Sequence, residues 1–137
     1  MRILSIDYGQ KRIGLAVSDP LGLTAQGIET IPNQNKKQVI SALLKVCKDF
    51  EVSQVVIGLP VNMNGTHGPK AMEIMNLVPV LEKELNLPVK TWDERLTSRE
   101  ADRSMIAGGL SRKRQKQNSD RVAATLILQV FLESRRK

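Results

Sequence analysis

The chain offers little thiol, imidazole or aromatic chemistry. Its 137 residues include one cysteine, Cys47, one histidine, His67, and four large aromatic residues, Tyr8, Phe50, Trp92 and Phe131. A single cysteine excludes an internal disulfide. One Cys and one His, well separated in sequence, disfavour a zinc site built on those ligands. So few aromatic rings argue against a stacking platform for single-stranded bases. No apolar run approaches the ~20 residues needed to span a bilayer, and Asp7 interrupts the first apolar stretch, so nothing reads as a signal peptide. The expected setting is cytoplasmic, with no membrane contact. Cys47 sits among Val39, Leu43, Leu44 and Val46, which reads as a buried structural thiol.

What the chain has in excess is positive charge. Its length fits one domain spanning 1–137. The formal net charge is +7. Residues 99–137 hold ten Lys/Arg against four Asp/Glu, so this last stretch carries nearly the whole excess. Such asymmetry points to a polyanionic partner, with nucleic acid the usual one. With few rings available, phosphate contacts and duplex shape are the expected handles.

Hydrophobic spacing gives an alternating α/β order. Short strands are expected over 2–7, 12–18 and 24–31, the first two joined as a tight antiparallel hairpin. Residues 35–50 show helical spacing. Gln54 to Gly58 form an apolar run expected of a central strand buried on both faces. A helix over 70–85 and a strand over 88–92 follow. Further helices are expected over 97–107 and, capped by Ser119, over 119–134, with a basic loop over 110–118 between them. Strands alternating with helices predict a mixed α/β sheet.

Three carboxylate positions stand out in this frame. Ligands of open α/β sheets bind beyond the carboxyl ends of the parallel strands. Asp7 closes the first strand there, and Asp93 and Glu94 close the fifth. Asp120 falls on the same helical stripe as Ala124, Ile127 and Phe131, so it points along the apolar, sheet-facing side. A carboxylate aimed that way needs a cation, a donor or a metal. If Asp120 opens its helix, the helix dipole is a competing explanation, worth about 0.3–1 kcal/mol; salt bridges to nearby arginines are another. Carboxylate oxygens alone suit Mg²⁺ or Mn²⁺, which can activate water against a phosphodiester.

Four blocks then carry a resemblance. Ile6 to Ala16 (IDYGQKRIGLA), Val56 to Thr66 (VIGLPVNMNGT), Asp93 to Ser98 (DERLTS) and Asp120 to Gln129 (DRVAATLILQ) resemble, in order, the YqgF (RuvX) family. The resemblance implies a ribonuclease H-like fold related to the resolvase RuvC, with a five-stranded mixed sheet whose second strand is antiparallel. It implies a metal-dependent nuclease that processes the 5′ end of precursor 16S ribosomal RNA in ribosome biogenesis. By position, Asp7, Glu94 and Asp120 would be its catalytic and metal-holding acids. Asp93 and Glu94 point to opposite faces if both lie in the strand; Glu94 is preferred because its longer side chain can reach back.

Lys11, Arg12, Arg95, Arg112, Lys113, Arg114 and Lys116 are the candidate phosphate contacts, with a solvated turn as the alternative for the first two and an Asp93 ion pair for Arg95. Expected partners are precursor ribosomal RNA, branched DNA, the ribosome or its small-subunit precursor, and a second copy of the chain. Two rival functions remain: a nuclease resolving four-way DNA junctions, and a non-catalytic nucleic-acid adaptor.

Overall fold

A computed structural model of the chain describes residues 2–96 and 112–136. The first strands are β1 (Arg2–Tyr8), β2 (Arg12–Ser18) and β3 (Ala25–Pro32). Helix α1 (Lys36–Asp49), strand β4 (Val52–Leu59), helix α2 (Pro69–Leu85) and strand β5 (Val89–Asp93) follow. Glu94–Leu96 make one 3-10 turn, and α3 runs from Arg112 to Arg136. The five strands form one sheet in the order β3-β2-β1-β4-β5. β1 pairs in parallel with β4, and β4 with β5. β2 is antiparallel to both β1 and β3, as the resemblance implies.

The tight hairpin forms at Gly9, whose N–H donates to the Arg12 carbonyl at 3.1 Å. A Cβ at this position would run into that same carbonyl, so the turn requires glycine. The side chain of Asn35 starts α1 by accepting from the amides of Lys37 and Gln38, a standard N-cap. Helix α2 continues through Pro79 rather than ending there.

Apolar residues alternate along the central strands and bury both faces of the sheet. Leu4, Ile6, Val55 and Ile57 face α1 and α2, meeting Leu43, Ile74 and Leu81. Ile3, Ala16 and Val56 face α3, meeting Ala124, Ile127, Leu128 and Phe131. Each fully buried Leu or Ile contributes roughly 1.5–3 kcal/mol of transfer free energy.

Helix α3 corrects two expectations. Residues 112–118 are helical and not a loop, because Arg, Lys and Gln are good helix formers and neither Gly nor Pro interrupts the run. Ser119 is therefore an interior residue rather than a cap, and Asp120 lies more than two turns into the helix. The dipole explanation for Asp120 fails with it, since that effect fades after the first turn. The helix expected over 97–107 falls outside the described residues.

Candidate active site

The site is built by the register of α3 on β1. Ser5 is fully buried, and its hydroxyl donates to the Ala124 carbonyl at 2.6 Å. At the other end of α3, Arg135 Nη1 donates to Gln54 Oε1 at 3.5 Å, near the start of β4. The helix thus runs antiparallel to β1, and its amino-terminal part lies toward the carboxyl end of the strand. From Ser5 to Asp7 is about 6.6 Å along a strand, and from Ala124 back to Asp120 is about 6 Å along a helix. The backbone position of Asp120 therefore comes level with Asp7, on the helical stripe of Ala124 and Ile127.

Asp7 shares its face of β1 with Ile3 and Ser5, the face that α3 covers, and it is partly buried. Its pairing partner on β2 is Gly14. One residue beyond the Ile6↔Ile57 pair, Gly58 of β4 lies level with it. Glycines therefore flank Asp7 on both neighbouring strands, and neither puts a side chain beside the carboxylate.

Glu94 arrives from the other side. Gly58 pairs with Trp92, and Glu94 follows just beyond the end of β5, at the start of the 3-10 turn. A Cβ on Gly58 would stand 2.6 Å from Glu94 Oε1, 3.0 Å from its Cγ and 2.8 Å from Ile127 Cδ1. The Glu94 side chain thus lies across Gly58, beneath α3 and on the Asp7 side of the sheet. Strand parity sends Asp93 to the opposite face, level with Leu59.

Asp93 has a different partner. Its Oδ1 accepts from the backbone N–H of Arg95 at 2.9 Å, and its Oδ2 accepts from Arg95 Nη2 at 2.7 Å and Nε at 2.9 Å. These hydrogen bonds from Arg95 hold the Asp93 carboxyl below the usual aspartate range, against a smaller opposing effect of burial. The guanidinium is correspondingly held in its charged form by Asp93. Among the phosphate-contact candidates, Arg95 is thus engaged by a carboxylate.

Lys11 and Arg12 are exposed at the β1–β2 turn, at the same end of the sheet as Asp7. Arg112, Lys113, Arg114 and Lys116 occupy the first turns of α3. Arg112 begins about 18 Å before Ala124 along the helix, whereas β1 continues only about 10 Å past Ser5. The basic positions therefore extend beyond the carboxyl end of the sheet, past the acids. Tyr8 packs against the α1–α2 core, its hydroxyl 3.4 Å from Asn33 Oδ1, so it lies on the face away from Asp7. A cavity of about 660 Å³ at the opposite end of the sheet, lined by Ile3, Gln54, Leu132 and Arg135, is remote from these groups.

Asp7 and Glu94 offer carboxylate oxygens, the donor type a hard divalent cation takes, with glycines beside Asp7 and beneath Glu94; among the described residues no group of three or more His, Cys, Asp or Glu could hold the ion. Sequence reasoning gives Gly58 a role in backbone geometry but not its contact with Glu94. Its signal was a lone glycine in an otherwise apolar central strand, which marks a close approach by another group.

A family model described as RuvX, Holliday junction resolvase, matches residues 1–134. The chain belongs to the RuvX family. It is 50% identical over 134 residues to a protein of Clostridium acetobutylicum, covering 98% of this chain and 99% of the relative. It is 47% identical over 133 residues to one of Syntrophomonas wolfei, covering 97% and 94%. Both relatives carry the name "Putative pre-16S rRNA nuclease". Among solved structures, Thermus thermophilus RuvC in complex with a Holliday junction substrate superposes with a TM-score of 0.60 at 18% identity, over 99% of this chain and 96% of that one. Fowlpox virus resolvase in complex with junction DNA superposes with a TM-score of 0.57 at 16% identity, over the full length of both chains. The fold of this RuvX chain is accordingly ribonuclease H-like, and its family is one of nucleases acting on nucleic-acid phosphodiester bonds.

Proposed function

We propose that the chain is a metal-dependent endonuclease of a single ribonuclease H-like domain that processes the 5′ end of precursor 16S ribosomal RNA in the cytoplasm. The observation that carries the chemistry is the placing of Asp7 and Glu94 on one sheet face, on either side of Gly58, at the carboxyl end of the parallel strands. The names of relatives at about 50% identity over nearly the whole chain support the RNA substrate.

Asp7, Glu94 and Asp120 would together hold Mg²⁺ or Mn²⁺. A divalent cation bound there supplies Lewis-acid stabilisation of charge on the phosphate and makes a nearby water more acidic. Lys11, Arg12 and the basic positions of α3 would bind phosphates on either side of the scissile bond and set its orientation. Gly14 puts no side chain beside Asp7, and Gly58 leaves the room that the Glu94 side chain occupies. No residue of the centre is a strong nucleophile, so direct attack by water, without a covalent enzyme intermediate, is the matching route.

The test is cleavage of precursor 16S RNA by purified parent and Asp7→Asn protein across Mg²⁺ and Mn²⁺ concentrations. Cleavage by the parent and its loss in the variant are expected; equal cleavage by both would overturn the centre. The family description favours a second reading, resolution of four-way DNA junctions. Preferential cleavage of a four-way junction in the same assay would establish it in place of the RNA reading. Salt-dependent RNA binding with no cleavage under either metal would leave an adaptor.

A further inference from the structure

We infer that Asp93 and Arg95 form a strut that sets the position of Glu94, and that Gly58 is the seat on which Glu94 rests. This rests on the reading of Glu94 as a metal-holding acid. Asp93 and Glu94 are neighbours whose side chains leave on opposite faces of the sheet, so Asp93 cannot share the centre, yet it is tightly engaged. The backbone N–H of Arg95 is bound to Asp93 Oδ1 at 2.9 Å. This closes a side-chain turn around the intervening residue, and that residue is Glu94.

The turn is in turn tied to a second, preformed piece of backbone. Arg95 Nη1 donates to the Asn62 carbonyl at 3.4 Å. That carbonyl also accepts from Gly65 N at 2.8 Å, and Asn62 N donates to the Thr66 carbonyl at 2.9 Å. Asn62 Nδ2 donates to Thr66 Oγ1 at 3.0 Å, and Thr66 Oγ1 to Asn64 Oδ1 at 2.6 Å. Arg95 thus spans from the turn carrying Glu94 to a loop braced by its own hydrogen bonds. On the other face of the sheet, any side chain at position 58 would meet the Glu94 carboxylate. One device fixes the backbone of Glu94 and the other leaves room for its side chain.

An exposed ion pair of this kind adds little to global stability; the pair has 39% and 27% of its side-chain surface exposed. Its effect is on geometry. Losing the partner that orients a metal-holding residue costs roughly 10–100-fold in metal affinity or activity. Arg95 is therefore a positioning residue, and Asp93 acts through it.

The test uses the full chain with Arg95→Ala, Asp93→Asn, Gly58→Ala and Glu94→Gln. Mn²⁺ binding to the RNA-free protein is measured by calorimetry, RNA affinity without metal by filter binding, and melting temperature by circular dichroism. Arg95→Ala is expected to raise the Mn²⁺ dissociation constant and the Mn²⁺ needed for half-maximal cleavage by about tenfold, while RNA affinity without metal stays within about twofold and melting is nearly unchanged. Asp93→Asn should move the same readouts by less, and Gly58→Ala by more. If Arg95→Ala weakens metal-free RNA binding and leaves Mn²⁺ binding as in the parent, Arg95 is a phosphate contact and the strut is overturned. Unchanged Mn²⁺ binding and cleavage in both Arg95→Ala and Asp93→Asn would also overturn it, whatever Gly58→Ala does to folding. If Glu94→Gln binds Mn²⁺ and cleaves like the parent, the underlying reading of Glu94 fails first, and the strut with it.

Discussion

The hydroxyl of Ser5 and the carbonyl of Ala124, 119 residues apart in sequence, meet at 2.6 Å in the buried layer between β1 and α3. The contact sets how far α3 slides along β1, and so which helical position comes level with Asp7. Ser5→Ala removes the bond and is expected to cost about 0.5–1.5 kcal/mol. Ser5→Val adds a methyl group to a filled layer and should cost a further ~1–3 kcal/mol by overpacking. Urea denaturation measures both, and a Ser5→Val protein as stable as the parent would count against a tight β1–α3 seam.

Ser18 does a different job at the start of β1. Its buried Oγ accepts from the N–H of Ile3 at 2.9 Å, where the β1–β4 register shifts between Arg2 and Ile3. Ser18→Ala leaves that buried N–H without its acceptor, at a cost of about 1–3 kcal/mol. Faster amide exchange at Ile3 in the variant would be the local signature.

The Asp93–Arg95 pair makes a pH prediction with a defined sign. Because hydrogen bonds from Arg95 lower the folded-state pKa of Asp93, the pair's contribution is present above the ordinary aspartate range. It is lost as pH falls through the depressed folded value. The small stability gap between parent and Arg95→Ala should be constant near neutral pH and close in strong acid. Carbon-13 titration of Asp93 should show its midpoint moving upward in the variant.

Burial pushes the Cys47 thiol up to about 11. In the native protein at pH 8 it is expected to react with a disulfide reagent orders of magnitude more slowly than in denaturant. Rapid native labelling would show that the α1 side of the core opens readily.

RNA binding should fall with salt in a way that counts phosphate contacts. Each basic position of α3 that touches a phosphate contributes about 0.7–0.9 to the slope of log affinity against log salt. Replacing Arg112 and Lys113 with Ala is expected to lower the slope by about 1.5 and leave the metal requirement unchanged. A parental slope in the double variant would remove these two positions from the interface.

Much of the sheet was legible because its signals are local. Continuous apolar runs marked β1 and β4. Strand parity would separate Asp93 from Glu94 only with both in the strand; Glu94 instead lies in the 3-10 turn after β5 and reaches the Asp7 face by lying across Gly58. The start of α3 was misread because Gly108-Gly109 and a cluster of charges resemble a loop, and because Ser119-Asp120 resembles a helix cap. Helix propensity across Arg112–Asn118 carried the opposite message, and with Ala124 docked on Ser5 it is consistent with the helix the structure has. The sheet-facing side of Ala124, Ile127 and Phe131 followed from helical phase, but the height of backbone position 120 relative to Asp7 did not, since that height depends on a contact across 119 residues. The engagement of Arg95 by Asp93 was one of two open readings; choosing between them required the position of the loop after β4.

The same long separation has a consequence for synthesis. As the chain leaves the ribosome, β1 to β5 can pair while the sheet face bearing Ile3, Ala16 and Val56 still lacks its cover, because that cover is Ala124, Ile127, Leu128 and Phe131 of α3. Closing so long a loop is among the slower steps a chain of this size takes. Asp7 and Glu94 therefore emerge on an uncovered apolar surface and wait for their fourth wall. A nascent chain stopped before α3 would be a sticky, half-cored intermediate with Asp7 and Glu94 on an open apolar face.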